Sequence, residues 1–251
     1  MKTIDLNCDL GEWKDVNGLN KDASIMPFIT SCNIACGGHI GDTESMQATI
    51  NLAKEYGVAI GAHPSYPDKE NFGRKVIEIS EVKLHESIVD QLSAFLRLLN
   101  NMECVLHHIK PHGALYNEAS INEKIASVVV SAILKVFPGG MVYCQQGSKL
   151  DREIIKARLI PVYEVFADRS YENDLTLRSR NLDGAVIHEQ EKVFNHIHKM
   201  VIDGEVQTFS GSIKPIVAQT MCLHSDTKGS IELAEVIYDY LKSKGVAIAA
   251  S

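Results

Sequence analysis

Short apolar runs alternate with amphipathic stretches of helical period along most of this 251-residue chain. Residues 3–8, 31–35, 58–62, 105–109, 141–144, 161–166 and 219–223 read as strands, because each is a brief β-branched or apolar run bounded by turn formers. Helices are predicted over 43–56 and 80–101, after the 110–117 segment to about 137, then to about 158, over 189–201 and over 231–241. In 80–101 the residues Leu84, Ile88, Leu92, Phe95, Leu96 and Leu99 form one apolar stripe. Met46, Ile50 and Ala53 share a face of 43–56, and Gly57 stands where a C-terminal cap belongs. The final helix repeats the spacing with Leu233, Val236, Ile237, Tyr240 and Leu241. Three stretches break the rhythm. The 63–79 connection is long for a βα loop, 167–186 is a charged segment that reads as a lid or inserted arm, and 205–217 reads as a hairpin. Repeated βα units predict a parallel sheet with helices outside. About seven of them favour a closed or nearly closed barrel, with an open doubly wound sheet as the alternative. No linker, repeat or composition shift divides residues 1–251, so one domain is expected.

Composition narrows the function classes. With 45% hydrophobic and 23% charged residues the chain is an ordinary globular protein, and a net charge of -7 argues against nucleic acid as its main partner. Asp5 and Asp9 interrupt the N-terminal segment where a signal peptide needs an apolar core, and no apolar run reaches spanning length, so a cytoplasmic location is expected. The six cysteines, Cys8, Cys32, Cys36, Cys104, Cys144 and Cys222, lie in or beside apolar runs, as reduced buried thiols do. Cys32 and Cys36 are spaced too widely for a tight zinc knuckle and have no second pair.

Chemistry collects at the carboxyl ends of the predicted strands. Asp5, Asn7, Asp9 and Glu12 close the first. The second runs through Asn33 into a turn with Gly37, Gly38 and Gly41 around His39. His63 follows the third, Lys110 and His112 the fourth, Glu164 and Asp168 the sixth, His224 and Asp226 the last. Chance polar residues at loop starts explain any one of these. They poorly explain all, since ionisable groups are costly to gather unless they pair, bind metal or react. Asp9, His39 and His63 end three successive strands and form a candidate divalent-metal set with an open position for water. His196 and His198 are read as surface residues, His85 and His188 as solvated, and His107 as a satisfied core residue. Neither a Gly-x-x-x-x-Gly-Lys-Ser/Thr loop nor a Gly-x-Gly-x-x-Gly turn in a βα unit is present, so a nucleotide site must be of another design or shared with a partner.

Several of these segments together resemble one family. They are Asp5-Leu6-Asn7-Cys8-Asp9-Leu10-Gly11-Glu12, the run from Asn33 to Asp42, Gly61-Ala62-His63-Pro64-Ser65-Tyr66-Pro67-Asp68, Phe72-Gly73-Arg74, Lys110-Pro111-His112-Gly113-Ala114-Leu115-Tyr116-Asn117, Glu164-Val165-Phe166-Ala167-Asp168-Arg169 and Cys222-Leu223-His224-Ser225-Asp226. In this order they resemble the LamB/YcsF family, the A subunit of bacterial 5-oxoprolinase, from residue 3 to about 248. Ser225 replaces a usual glycine and Lys75 a usual arginine. Lys75 thereby keeps the charge and loses the bidentate fork.

The resemblance implies a distorted seven-stranded βα barrel similar to that of polysaccharide deacetylases. It also implies ATP-coupled opening of 5-oxo-L-proline to L-glutamate, with Mg2+, together with B and C subunits; a homo-oligomer is left open. A lactam is a stabilised amide, so its opening needs cations for phosphates, a base for water and donors for an oxyanion. Asp9, Lys110, His112 and Asp226 are the expected catalytic groups. Asn7, Glu12, Asn33, Gly38, Arg74, Tyr116, Glu164, Asp168, Arg169 and His224 are expected around substrate or nucleotide. Two other classes compete with this reading: a stand-alone metal-dependent deacetylase or amidase, and a non-catalytic small-molecule binding subunit. Nucleotide dependence separates the first two, and turnover separates both from the third.

Overall fold

The computed structural model describes residues 2–223 and 229–250. The expected site residues His224 and Asp226, and Ser225 between them, lie outside the described residues. In chain order the elements are β1 (Thr3–Leu10), α1 (Val16–Ile25), β2 (Ser31–Ala35), α2 (Thr43–Tyr56), β3 (Ala59–His63), α3 (Glu81–Asn101) and β4 (His108–Ile109). There follow α4 (Gly113–Ile121), α5 (Glu123–Val136), β5 (Met141–Cys144), α6 (Lys149–Lys156), β6 (Ile160–Phe166), α7 (Gln190–Ile197), β7 (Glu205–Gln207), β8 (Ile213–Pro215), β9 (Thr220–Leu223), α8 (Ser230–Ser243) and β10 (Ala247–Ile248).

Seven parallel strands run β1-β2-β3-β4-β5-β6-β9, and the barrel closes because β9 pairs with both β6 and β1. The open-sheet alternative is thereby excluded. β7 and β8 form the expected antiparallel hairpin apart from the barrel, and β10 adds a short parallel pairing at the start of β1.

Period-two alternation along β1 decides what the barrel holds. Ile4, Leu6, Cys8 and Leu10 are buried in one apolar cluster with the α3 stripe of Leu84, Ile88, Leu92, Phe95 and Leu99. Asp5, Asn7 and Asp9 take the opposite face and reach across the barrel to Tyr143, Glu164 and Lys110. The apolar face of β1 therefore packs under helices, while its polar face fills the interior. Gly61 permits one such filling, since a Cβ there would sit 2.2 Å from Nε2 of His108, which lies across β3.

Local signals set the helix ends. A capping box of Asp42 and Ser45 opens α2, and Ser80 and Ser148 cap α3 and α6. The helix expected to run to 137 is two helices, because the Asn122 side chain accepts from Lys124 and Ile125 and starts α5 afresh. β4 is shorter than 105–109, and Val105, ahead of it, is 83% exposed. After α7 the chain widens into a π-helical turn over His198–Asp203. All six cysteines are free, and all but Cys104 are buried. Among the described residues no helix is long and apolar enough to cross a membrane.

Candidate active site

The polar interior is a connected column that rises to the mouth at the strands' carboxyl ends. At its base Asp5 Oδ2 accepts from Tyr143 (2.8 Å), Ser31 (2.7 Å) and Thr220 (2.6 Å), and Oδ1 accepts from Thr30 (2.6 Å). One layer higher, Asn7 donates to Thr220 (2.7 Å) and Glu164 (3.1 Å). His108 Nε2 donates to Asn33 Oδ1 (2.7 Å), and Asn33 donates in turn to Asn7 and Asp9, each at 2.8 Å. The His108 ring stacks on Tyr143 with centroids 3.8 Å apart. Burial drives its pKa well below the usual histidine value, with His107 and Lys110 adding to the effect, so it is a neutral donor.

Lys110 crowns the column. Its ammonium group donates to Glu164 Oε1 (2.8 Å), Asp9 Oδ1 (3.0 Å) and Asn7 Oδ1 (3.2 Å), and Cys222 Sγ lies 3.2 Å away. Burial works against the charge, yet Asp9, Cys222 and Glu164 hold the pKa well above the usual lysine value. Three ammonium protons thus meet three oxygen acceptors. As it stands Lys110 organises carboxylates, and reaching a substrate would require it to release one of them.

Above Lys110 three imidazoles and two carboxylates meet. His63, the last residue of β3, has Nε2 3.3 Å from Asp9 Oδ2 and 3.0 Å from His112 Nδ1. His112 Nδ1 is 3.2 Å from Glu12 Oε1, which also accepts from His39 Nε2 at 2.8 Å. The His39 and His112 rings stack at 3.7 Å, nearly parallel. Gly73, at φ +61, makes this crowding possible, because a Cβ there would meet both His112 and His39 at 2.9 Å. Burial pushes the His39 pKa down to about 4 although Glu12 works the other way, so the ring is neutral near pH 7. Burial also opposes ionisation of Asp9 and Glu12. His63 and Lys110 nevertheless hold Asp9 well below the usual carboxylate range, and His112 and His39 do so for Glu12.

Glu12 is held from behind. Asp22 Oδ2 accepts from the Gly11 N–H (2.8 Å) and from Trp13 Nε1 (3.0 Å), which flank Glu12. Burial pushes the Asp22 pKa up to about 6.

A cavity of about 480 Å3 opens over Asp9, Glu12, His63, Lys110 and His112. Its far walls carry Arg74, Tyr116, Arg169 and, from the 167–186 arm, Arg178 and Arg180. Arg169 is buried and donates to the carbonyls of Ala185 (3.3 Å) and Arg178 (2.6 Å), which ties the arm back on itself. Arg178 also stacks on Phe209, 3.6 Å from the ring centre. A mouth with carboxylates and imidazoles on one side and guanidinium groups on the other suits proton transfer on an anionic substrate.

Of the sequence-predicted residues, Asp9, Glu12, Arg74, Lys110, His112, Tyr116 and Arg169 line this cavity. Asn7, Asn33 and Glu164 support it from the column beneath. Asp168 is buried outside the cavity lining. Gly38 packs on Gln91 and Ser65, where a Cβ would sit 2.4 Å from a side-chain oxygen of each. The expected set of Asp9, His39 and His63 is rearranged into two groups that share His112: Asp9 with His63 and His112, and Glu12 with His39 and His112. His39 follows β2 in a loop and its Nε2 is spent on Glu12, whereas His63 ends β3 and His112 stands just after the adjacent β4, at the start of α4. His196, expected on the surface, is buried against Tyr171, and His198 bonds the Tyr240 hydroxyl at 2.9 Å. Sequence reasoning missed His108, Tyr143, Thr220 and Asp22. His108, Lys110 and His112 share period-two spacing, a signal that they lie on one face.

The LamB/YcsF family model matches residues 4–251. The A subunit of the Brevibacillus brevis 5-oxoprolinase is 42% identical over 250 residues, covering 100% of this chain and 98% of that protein. Among solved structures, the lactam utilization protein from Thermus thermophilus superposes with a TM-score of 0.92 at 33% identity, covering 100% of both chains. A mutant of peptidoglycan deacetylase PdaC from Bacillus subtilis shares the fold at a TM-score of 0.50 and 11% identity, covering 99% of this chain and 87% of that one. With a family match over nearly its whole length and a relative at this identity, the chain belongs to the LamB/YcsF family.

Proposed function

We propose that this chain is the A subunit of a 5-oxoprolinase, which opens 5-oxo-L-proline to L-glutamate while ATP, with Mg2+, is hydrolysed to ADP and phosphate, and that it acts together with B and C subunits. Full-length similarity to proteins of that name supports the assignment. The observation that carries the chemistry is the mouth itself, with Asp9, Glu12, His63 and His112 beneath a cavity walled by Arg74, Arg169, Arg178 and Arg180.

In this reading the chain performs the water-adding half of the reaction. Phosphorylation of the lactam oxygen, in the assembly with its partners, turns that oxygen into a leaving group. One water attacks the former carbonyl carbon, a C–O bond forms, the ring C–N bond breaks and the freed nitrogen takes up a proton, which leaves an acyl phosphate. A second water then attacks that acyl carbon, and phosphate departs as the carboxylate is completed. Glu12 or His112 accepts the water proton, and the arginines bind the carboxylate and phosphate. Lys110 holds Asp9 and Glu164 in place during these steps.

The test is glutamate release from 5-oxoproline by the chain with and without its partners and ATP. Release that requires both supports the proposal. Turnover by the isolated chain without nucleotide would instead support a stand-alone metal-dependent amidase, the reading that the donor set of Asp9, His63 and His112 favours.

A further inference from the structure

Of the four guanidinium groups around the cavity, Arg169 differs from the rest in its burial and its partners. Arg74 and Arg180 are exposed and Arg178 is half-buried, whereas Arg169 is 5% exposed. The Arg178 charge is met inside the arm: Nη1 pairs with Glu172 Oε1 at 2.6 Å, Nε donates to the Asp183 carbonyl at 2.9 Å, and the group stacks on Phe209. Arg169 has no such counterion. Among the described residues its side chain donates to two backbone carbonyls, from Nε to Ala185 and from Nη2 to Arg178. Burial and the nearby charge of Arg180 pull its pKa below the usual arginine value, and Asp168 eases the charge without pairing with it. A buried cation that lacks a carboxylate is costly to fold, and a bound anion would remove that cost.

The shape of the guanidinium decides which N–H groups remain. It is planar with five N–H bonds, and Nη2 stands on the same side as the Nε–H. The Nε bond and one Nη2 bond therefore point along one edge, which the carbonyls of Ala185 and Arg178 occupy. The terminal edge keeps one N–H from Nη1 and one from Nη2, parallel to each other. Such a pair is the fork that both oxygens of a planar carboxylate fill. The two carbonyls also fix the plane of the group in advance, and Arg169 follows β6 closely, in the lining of the cavity. We infer that this terminal fork takes the ring carboxylate of the substrate, so that Arg169 selects an anionic lactam over a neutral one, with Arg178 as the staple that holds it from the arm. One buried unit charge matches the single charge of a carboxylate, whereas a phosphate spreads more charge over three oxygens. That the carboxylate belongs to a lactam rests on the function proposed above; that the fork holds a planar anion does not.

The experiment compares 5-oxoproline with its carboxamide, which has the same ring and no charge. With partner subunits and ATP, wild type should favour the acid in kcat/KM by about 100-fold or more, the size expected for one partner of a buried charge pair. Arg169→Gln should erase that preference, mainly through the KM for the acid. Its kcat/KM for the amide should stay within about threefold of wild type, since the amide offers the fork no charge. Arg169→Lys keeps the charge without the fork and should recover part of the preference. Arg178→Gln loosens the arm and should lower acid and amide alike. Circular dichroism identifies any variant that fails to fold, and Arg169→Lys carries the comparison if Arg169→Gln does. Equal losses for acid and amide in Arg169→Gln would overturn the inference, and so would a rise confined to the KM for ATP, because the fork would then hold a phosphate. If wild type opens neither lactam, the function proposed above fails, and calorimetry on the full-length chain decides the fork by itself. Binding of 5-oxoproline that Arg169→Gln abolishes supports it. Binding unchanged in that variant, or none to wild type at millimolar concentration, overturns it.

Discussion

The polar column lies on the barrel strands and the mouth above it at and just beyond their carboxyl ends, and they differ in whether their hydrogen bonds close. In the column Asp5, Asn7, Asn33 and Thr220 are buried, and each polar group has a named partner. At the mouth His39 Nδ1 and the Tyr116 hydroxyl are buried without a partner of ordinary hydrogen-bond geometry, as is Glu164 Oε2 where the column meets the mouth, and His63 Nε2 lies 3.0 Å from His112 Nδ1. A closed network rigidifies, whereas an open one keeps capacity for a ligand or a proton. Lys110 belongs to both, since it ties Asn7 below to Asp9 above.

The largest test of this division is therefore Lys110→Met. The substitution keeps the stem and leaves Asp9 and Glu164 facing each other without their cation. A buried charge stripped of its partner costs about 3 to 5 kcal/mol. Urea unfolding should show that loss, and ATP-dependent turnover should fall by about 100-fold or more, as when one electrostatic donor is removed. A variant as stable as wild type would mean that Lys110 does not join column to mouth.

Glu12→Gln acts on the mouth alone. Gln can still accept from His39, so the stacked pair of His39 and His112 should persist, while the group that takes up a proton is gone. Turnover should fall by about 100-fold, the lower end for a general acid or base, with a smaller loss of urea stability than in Lys110→Met. If stability fell further than turnover, Glu12 would belong with the structural groups.

These contrasts also explain what was legible in the sequence. The βα alternation was, because apolar runs of period two and stripes of period 3.6 are written locally. So was the gathering of Asp9, Glu12, His63, Lys110 and His112 at one end, because strand ends of a parallel barrel share a face. Which histidine pairs with which was not legible. That depends on β3 and β4 lying side by side and on how far the loop after β2 carries His39. Likewise the satisfied state of Lys110 needs Asn7 and Glu164 from opposite sides of the barrel, and His108 reads as ordinary until Gly61 is seen to make room for it. α1 escaped because its apolar positions are few, although Asp15 marks its start by accepting from Asn17 and Gly18.

Asp22, beneath Glu12, gives a smaller effect that depends on pH. Its pKa of about 6 lies above the ordinary 3.8, so the folded chain holds this proton more tightly than the unfolded one. The stability contributed in this way is complete below about pH 4 and is lost as pH rises through about 6. Asp22→Asn removes that loss and keeps an oxygen for Gly11 and Trp13. Relative to wild type the variant should gain roughly 2 kcal/mol between pH 4 and 7, somewhat less than the full shift converts to, because burial is incomplete. Unfolding curves of both proteins across that range measure the difference, and a difference that does not vary with pH would show that Asp22 does not titrate as its surroundings imply.

Tyr143→Phe should be the mildest change, and it probes whether the column reports to the mouth at all. Phe keeps the ring stacked on His108 and deletes only the hydroxyl that donates to Asp5. Asp5 Oδ2 still accepts from Ser31 and Thr220, and Oδ1 from Thr30, so no buried charge is orphaned. The loss should be that of one hydrogen bond to a charged acceptor with other donors at hand, about 1 kcal/mol. Turnover should stay within about twofold of wild type, because Asn7 and Asn33 keep their own donors and continue to fix Asp9 and Lys110. A drop in kcat of tenfold or more at unchanged KM would mean that a bond two layers below the reacting groups sets their positions. Column and mouth would then have to be treated as one unit.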